Sequence, residues 1–315
     1  MRFYSAVETR ERLPFAPLID ALRTMFERGC ALPPRQVLEL AGAGGAAVTS
    51  LVMPAWQPGG CYGVKVVNIA PGNAARGLPG LHSTYVLYDA STGVPLAWID
   101  GDEITARRTA ATSALAASWL ASDGASRLAL IGAGRIARLL PAAHRTVRPI
   151  ERVTVWARSQ PRAAVLVAEL VADGFDARVA ASVEAAVAEA DIASCATLAR
   201  EPIVLGRWLR PGSHLDLIGS FTPEMREADH GCFAGAAVFV DSDDAASKSG
   251  DLIGPIAGGV LAPGAIGTLA ELARGSRHAR ASPPLQRTVF KSVGSALEDL
   301  AAAMLVHDVA PTSAR

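Results

Sequence analysis

Apolar residues recur at intervals of three and four positions along residues 15–29. This spacing places them on one face of a helix, and Gly29 is a residue type that commonly follows a helix end. We therefore expect an amphipathic helix over this segment. Its buried face should consist of Leu18, Ile19, Leu22, Met25 and Phe26.

Shorter apolar stretches follow, separated by the turn sequences P-G-G, P-G-N and D-A-S-T-G. Short stretches between such turns are typical of antiparallel strands. The strands are predicted at 46–53, 62–69, 83–88 and 95–99. A long alanine-rich helix is then predicted over 105–122, with Thr105 or Asp102 as its cap.

From Arg127 onward, short apolar runs alternate with helical segments, which is typical of a doubly wound parallel sheet. Six strands are predicted, at 128–131, 153–156, 177–179, 192–196, 214–218 and 238–241. Pro141 should kink the first intervening helix or end it early, because proline lacks a backbone N–H. Residues 255–285 are expected to be irregular, and a closing helix over 293–306 should pack back on the first part of the chain.

The first of these runs ends in a glycine-rich turn, I-G-A-G-R-I-A, at 131–137. Gly132 permits a tight turn, Gly134 lets backbone approach a pyrophosphate, and Ala137 allows close packing of helix on strand. The phosphates would lie at the positive end of the helix dipole. An ordinary strand-to-helix turn is the alternative. The predicted cofactor-binding residues are Gly132, Ala133, Gly134, Arg135 and Ile136.

The residue after the second strand of such a unit distinguishes NAD from NADP, because an acid there binds the ribose 2′-OH. Here Ala157, Arg158 and Ser159 follow the strand, and none is acidic. Arg158 offers a fork for a 2′-phosphate, and Ser159 offers a hydroxyl and an N–H. We predict a preference for NADP(H), with NAD(H) as the alternative.

The composition of the chain limits the kinds of partner that it can bind. The chain has 315 residues and a formal net charge of zero, so no basic field attracts nucleic acid or an anionic membrane. Its apolar stretches are shorter than a membrane span, and its first residues lack the apolar core of a signal peptide. The four cysteines and six histidines are scattered. This indicates buried thiols in a reducing cytoplasm and no metal site.

Several short motifs occur in order along the chain: G-V-K at 63–65, P-G-N at 71–73, R-G-L-P at 76–79, T-A-R-R-T-A-A-T at 105–112, I-G-A-G at 131–134, I-G-S at 218–220, R-E-A-D at 226–229, S-G-D at 249–251 and F-K-S-V-G at 290–294. Together they resemble the ornithine cyclodeaminase and mu-crystallin family. The resemblance implies an α+β substrate and dimerisation domain (1–122 with 291–315) and a Rossmann-type NAD(P)-binding domain (123–290). It also implies a homodimer whose interdomain cleft holds nicotinamide against a small imino or amino acid.

The substrates of this family carry a carboxylate beside the reacting carbon, and a partly desolvated carboxylate needs fixed cations. By resemblance, Arg108 binds this carboxylate and Lys65 lies beside it, near the reacting nitrogen. Arg35 matches a third cationic position, and Asn73 a substrate-binding one. The alternative for each is a structural or ion-paired role.

Two acids of the ornithine cyclodeaminases are missing. Ser220 occupies the position of an aspartate that handles protons, and Leu51 that of a glutamate. The resemblance therefore favours the ketimine reductase branch, in which Δ1-pyrroline-2-carboxylate or Δ1-piperideine-2-carboxylate accepts hydride at C2 to give L-proline or L-pipecolate. Ser220 would bind the imine nitrogen or a water. Ornithine cyclodeaminase, an amino-acid dehydrogenase and a non-catalytic NADPH-binding protein like mu-crystallin are the alternatives.

Two further positions are candidates for cofactor contacts. They are Thr197, which follows a predicted strand, and Lys291 in F-K-S-V-G. Glu298 and Asp299 on the closing helix are expected to be structural.

Overall fold

The computed structural model describes residues 1–41, 47–278 and 285–309. The chain divides into two compact units, which we call unit 1 and unit 2. Unit 1 combines Met1–Arg108 with the segment from Ser295 onward, and unit 2 is Thr109–Gly294.

Unit 1 is built around a six-stranded sheet. In chain order it contains β1 (Arg2–Tyr4), α1 (Ala6–Glu11), α2 (Phe15–Arg28), β2 (Gln36–Leu40), β3 (Val48–Trp56), β4 (Cys61–Ile69), β5 (Leu81–Asp89), β6 (Pro95–Asp100) and the start of α3 (Gly101–Leu120). The strand order is β1-β6-β5-β4-β3-β2, and every neighbouring pair is antiparallel except β1 with β6. The predicted antiparallel strands are present as β3 to β6. The sequence did not predict β1 or β2, because one is very short and the other is exposed on both faces.

The start of α3 differs from the prediction. The helix begins at Gly101, and Oδ1 of Asp100 accepts a hydrogen bond from the backbone N–H of Glu103 at 2.7 Å. Asp100 therefore satisfies one of the free N–H groups at the helix start, a role expected of Asp102 or Thr105. The later part of α3, from Thr109, belongs to unit 2. There Ser113 donates a hydrogen bond to Asp216.

Unit 2 is a sheet with helices between its strands. It contains β7 (Arg127–Ile131), α4 (Arg135–Arg145), β8 (Arg152–Trp156), α5 (Gln160–Ala172), β9 (Asp176–Val179), α6 (Val183–Val187), β10 (Ile192–Cys195), β11 (His214–Leu217), β12 (Ala237–Val240), α7 (Ala245–Lys248), α8 (Gly250–Ala257), β13 (Gly267–Thr268), α9 (Leu269–Ala273) and β14 (Thr288–Lys291). The chain then returns to unit 1 as α10 (Ala296–Val306).

The eight strands of unit 2 are all parallel, in the order β13-β12-β14-β11-β10-β7-β8-β9. This confirms the predicted fold class of a doubly wound parallel sheet beside an α+β unit. The chain runs outward from β7 to β9 and then resumes on the other side of β7 at β10. Ligands of such sheets bind at this reversal, outside the carboxyl ends of the strands.

Two details depart from expectation, and one agrees with it. The sheet has β13 and β14 in addition to the six predicted strands, within or next to the part expected to be irregular. Pro141 lies inside α4, which continues to Arg145, so the expected early end is wrong. The closing helix α10 packs on α2, β3 and β4, as predicted. Within the described residues, no helix combines the length and apolar character needed to cross a membrane.

Candidate active site

Lys65 lies in the middle of β4, on the buried face of the unit 1 sheet. Its neighbours across the sheet are Met53 on β3 and Tyr85 on β5, and Tyr85 in turn pairs with Ile99 on β6. All four side chains are buried. Lys65 is thus a cation in a row of apolar and aromatic residues, where an ammonium group requires a partner.

Gly63 of the G-V-K motif makes room for this row. A Cβ at Gly63 would collide with the ring and hydroxyl of Tyr85. The motif therefore combines a glycine that admits the tyrosine with a lysine opposite that tyrosine, and this explains why both residue types occur at this spacing.

The partner of Lys65 is Asp299, on the first turn of α10. The Lys65 Nζ lies 2.6 Å from Oδ2 of Asp299, and it also lies 3.3 Å from the hydroxyl oxygen of Thr105. Asp299 is completely buried. Since α10 packs on β4, a carboxylate on its inner face reaches a residue that is distant in sequence.

Arg108, on α3, is held by the same helix. Its Nε donates to Oδ1 of Asp299 at 3.0 Å, and its Nη1 donates to Oε2 of Glu298 at 2.7 Å. We call Lys65, Arg108, Glu298 and Asp299 the ion cluster. It contains two cations and two anions, all buried, so its formal charges balance.

The cluster sets the protonation of its lysine. Burial lowers the pKa of Lys65, and the neighbouring carboxylate of Asp299 opposes that effect. Arg108 acts in the same direction as burial. Asp299 therefore favours the charged ammonium form that a substrate carboxylate would require.

Arg35 and Asn73 are not part of this cluster. Arg35 is half-buried directly before β2, and it forms no hydrogen bond or ion pair within the described residues. Asn73 donates from Nδ2 to the carbonyl of Pro79 at 2.8 Å, and its own carbonyl accepts from Leu78. These bonds close the loop between β4 and β5, which supports the structural alternative for Asn73.

The glycine turn of unit 2 has the shape expected of a phosphate site. Gly132 has φ of +120°, and a Cβ there would lie 2.6 Å from the carbonyl oxygen of Ala196. Gly134 is the N-cap of α4, and a Cβ there would meet no atom within 4 Å. Space therefore exists at the positive end of the helix for a pyrophosphate, which the backbone N–H groups of 133–136 would hold.

Arg158 and Ser159 follow β8, the next strand of the sheet. Arg158 is exposed and forms no hydrogen bond or ion pair with any described residue. Ser159 is the N-cap of α5, and its side chain makes no capping hydrogen bond. Both side chains retain hydrogen-bonding capacity for an anionic group.

Ser220 differs from the expectation. It is completely buried, and its hydroxyl donates to the carbonyl of Met225. The same oxygen lies 2.9 Å from the Ser249 hydroxyl and accepts from the N–H of Asp251 at 3.3 Å. A hydroxyl has one donor and two acceptor positions, so these contacts use all of them. The structure leaves no donor for an imine nitrogen and gives Ser220 a role in holding 249–251.

Thr197 and Lys291 are also engaged within unit 2. The hydroxyl of Thr197 donates to Oε1 of Glu227 at 2.8 Å. Lys291 is completely buried, with Nζ 3.6 Å from Oδ2 of Asp251. Thr197 is half-buried after β10, whereas Lys291 is enclosed within unit 2. The contact of either residue with a cofactor stays a prediction.

Sequence reasoning undervalued Glu298 and Asp299. One signal was present: the two acids are adjacent in A-L-E-D-L-A-A-A-M-L-V, a helix that is otherwise apolar on every side. A helix of this composition is buried, and buried acids need cationic partners.

A model of the ornithine cyclodeaminase/mu-crystallin family matches residues 5–313. The chain is 40% identical over 313 residues to a Delta(1)-pyrroline-2-carboxylate reductase of Paracoccus denitrificans, with 98% of this chain and 96% of the relative covered.

Two solved structures share the fold over most of their length. Thermococcus litoralis Delta(1)-pyrroline-2-carboxylate reductase, in complex with NADH and L-proline, has a TM-score of 0.90, 32% identity, and coverage of 98% of this chain and 97% of that one. An archaeal alanine dehydrogenase dimer with bound NAD has a TM-score of 0.90, 28% identity, and coverage of 98% and 95%. The resemblance in the sequence motifs is thereby confirmed, and the chain belongs to the ornithine cyclodeaminase/mu-crystallin family.

Proposed function

We propose that this protein is an NADPH-dependent reductase of a cyclic ketimine carboxylate. Its substrate is Δ1-pyrroline-2-carboxylate or Δ1-piperideine-2-carboxylate, and its product is L-proline or L-pipecolate. The observation that carries the proposal is the charge-balanced ion cluster, in which Asp299 contacts both Lys65 and Arg108. The relatives named as pyrroline-2-carboxylate reductases support the same substrate class.

Charge balance favours a zwitterion. A protonated cyclic ketimine carries one carboxylate and one iminium, so it adds no net charge to a buried neutral cluster. A 2-oxo acid adds an unpaired negative charge, which is costly in a desolvated site. In this proposal Arg108 and Lys65 bind the carboxylate, and the acids of α10 compensate the iminium. Because the ion pairs already fix these side chains, little ordering remains when substrate binds.

The cofactor assignment rests on unit 2. Gly132, Ala133, Gly134, Arg135 and Ile136 would hold the pyrophosphate at the start of α4. When bound, the nicotinamide supplies the hydride that C2 of the substrate accepts. Arg158, exposed and unpaired within the described residues, supports NADP(H) over NAD(H), since its guanidinium can bind a 2′-phosphate.

We further propose a cytoplasmic homodimer. All five residues of β2 are exposed, including Val37, Leu38 and Leu40 on an edge strand of the unit 1 sheet. An exposed apolar edge is suited to cover by another chain. The four cysteines are free thiols, which suits a reducing compartment.

The test is the initial rate of NADPH consumption with each imine. Parallel reactions contain NADH, pyruvate plus ammonia, or ornithine plus NAD⁺. We expect fast turnover with an imine and NADPH, and the ratio of the two imines gives the ring-size preference. Proline formation from ornithine without imine turnover would contradict the proposal and favour cyclodeamination. Ammonia-dependent reduction of pyruvate without imine turnover would contradict the cyclic substrate and favour an amino-acid dehydrogenase.

A further inference from the structure

The motif R-E-A-D at 226–229 has no part in the proposed chemistry, yet its glutamate occupies a central place in unit 2. Glu227 is completely buried. Its Oε1 accepts from the backbone N–H of Thr197 at 2.7 Å and from the Thr197 hydroxyl at 2.8 Å. Its Oε2 accepts from the backbone N–H of Gly219 at 2.7 Å. One carboxylate thus ties two loops together.

These loops lie at the functional edge of the parallel sheet. Thr197 follows β10 and Gly219 follows β11, so both are at the carboxyl ends of adjacent strands. β10 also pairs with β7, whose glycine turn contacts the same region through Gly132 and Ala196. A Cβ at Gly219 would collide with the carbonyl of Thr197 and with the Glu227 carboxylate. The two loops are therefore closely packed against each other.

Glu227 is itself held by a second pair of buried charges. Oδ1 of Asp251 accepts from the backbone N–H groups of Glu227 and Ala228 at 2.8 and 3.0 Å. Oδ2 of Asp251 lies 3.6 Å from Nζ of Lys291. The motifs S-G-D and F-K-S-V-G therefore act on the same loops as R-E-A-D. Lys291 acts through Asp251, and Asp251 acts through the backbone of Glu227.

We propose that Glu227 is a positioning residue that fixes the loops after β10 and β11 in the conformation that binds the nicotinamide cofactor. Lys291 and Asp251 support it. This inference rests on the proposed function only in that the cofactor is a nicotinamide dinucleotide.

Electrostatics make this role sensitive to pH. Burial raises the pKa of Glu227 to about 7, Lys291 opposes the shift, and Asp251 adds to it. The Cys195 thiol is also close enough for its pKa to be raised by Glu227. When Glu227 takes up a proton, one oxygen becomes a donor that faces an N–H or hydroxyl donor. The loops should therefore loosen as pH falls through about 7.

The experiment compares wild type, E227Q and the matched control D229N. Asp229 belongs to the same motif, but it accepts from the N–H groups of Gly206 and Cys232 and not from those of Thr197 or Gly219. NADH fluorescence titrations give Kd at several pH values, and NADH avoids the titration of a 2′-phosphate. Amide hydrogen exchange of Thr197 and Gly219, in protein without NADH, reports the loops directly.

We expect the wild-type Kd for NADH to increase about tenfold from alkaline to acid pH, since one hydrogen bond to a charged group is lost. E227Q should bind NADH weakly at every pH, with no such dependence and with faster exchange at both amides. D229N should keep the wild-type pH dependence. Wild-type affinity and pH dependence in E227Q would overturn the inference. If wild type bound neither NADH nor NADPH, the proposed function would fail, while amide exchange would still test Glu227.

Discussion

The Nζ of Lys65 lies 2.6 Å from Oδ2 of Asp299, so β4, which carries the lysine, and the helix α10 meet in one buried ion pair. Asp299 also holds Arg108 through its other carboxylate oxygen. Both cations proposed to bind substrate therefore share one acidic partner, and Arg108 has a second one in Glu298.

Replacing Asp299 by asparagine should impair stability and activity together. Two buried cations lose their shared anion, which should lower the free energy of unfolding by about 3 kcal/mol. The pKa of Lys65, already lowered by burial, should fall further because Asp299 no longer raises it. The alkaline decrease in kcat/KM should then occur at lower pH. Urea unfolding and a pH–rate profile with imine measure the two effects.

Asp20→Asn is the matched control, because Asp20 is exposed on α2 in the same unit. It should leave both measurements unchanged. An unshifted alkaline limb in a folded Asp299→Asn protein would show that Lys65 ionisation does not govern catalysis.

Gly134→Ala separates cofactor binding from folding. A methyl group at this position meets no atom within 4 Å, and φ is −92°, so the melting temperature should hold or rise slightly. If pyrophosphate approaches this backbone, the methyl group should weaken NADPH binding by about tenfold or more. Calorimetric titration and thermal unfolding test this.

Substitution of Gly132, two residues earlier, should affect stability rather than only cofactor binding. Gly132→Ala combines φ of +120° with a contact of 2.6 Å to the Ala196 carbonyl oxygen, so it should destabilise the protein itself. Equal NADPH affinity in Gly134→Ala and wild type would contradict the phosphate site.

Arg158→Ala should change the preference between the two cofactors. Loss of one charged hydrogen-bonding group should raise KM for NADPH about tenfold and leave KM for NADH unchanged. Arg162→Ala, an exposed arginine on α5, serves as the control. A parallel rise in both KM values would assign Arg158 to general attraction of the cofactor, and no change would leave the NADPH preference unexplained.

A buried histidine should make stability depend on pH. Burial, with Arg148 nearby, lowers the pKa of His144 from 6.5 to about 4. The unfolded chain therefore binds a proton below pH 6.5 while the folded protein does not, so this contribution to stability is present above pH 6.5 and lost as pH falls towards about 4. The loss between neutral pH and pH 5 should be about 2 kcal/mol.

His144→Leu should remove this contribution. Asp216 and Glu227 have pKa values raised by burial, so they change stability in the opposite direction over overlapping pH ranges. The difference between variant and wild type gives the contribution of the histidine together with its coupling to Asp216, whose Oδ2 lies 3.9 Å from the His144 Nε2. Urea unfolding of both proteins at neutral pH and at pH 5 gives that difference. Parallel pH curves would show that His144 takes up its proton equally in both states.

The sequence alone predicts the helices and strands that have periodic apolar residues, and it identifies the candidate site residues that lie within short motifs. The helix α2 and the strands β3 to β6 follow from local patterns, and Lys65 and Arg108 were identified within G-V-K and T-A-R-R-T. The pairing with Asp299 was not, because no local pattern links a residue of β4 to one of α10. Only the burial of both elements brings these charges together.

In unit 2, too, local sequence patterns do not predict which distant residues come into contact. Lys291 ends β14, a strand inserted between β11 and β12, and a lysine there obscures the apolar pattern of a buried strand. Its nearby acid, Asp251, belongs to α8. Ser220 was predicted to bind the imine nitrogen or a water, but its hydroxyl bonds to residues 225, 249 and 251, contacts that sequence spacing alone does not reveal.

The position of α10 has a consequence for synthesis on the ribosome. Unit 1 needs this helix against α2, β3 and β4, but the ribosome makes all of unit 2 before it makes α10. Unit 2 can therefore fold while unit 1 still lacks part of its core. Lys65 and Arg108 acquire their carboxylate partners only after all of unit 2 has been synthesised. A nascent chain thus lacks the complete ion cluster until α10 has emerged.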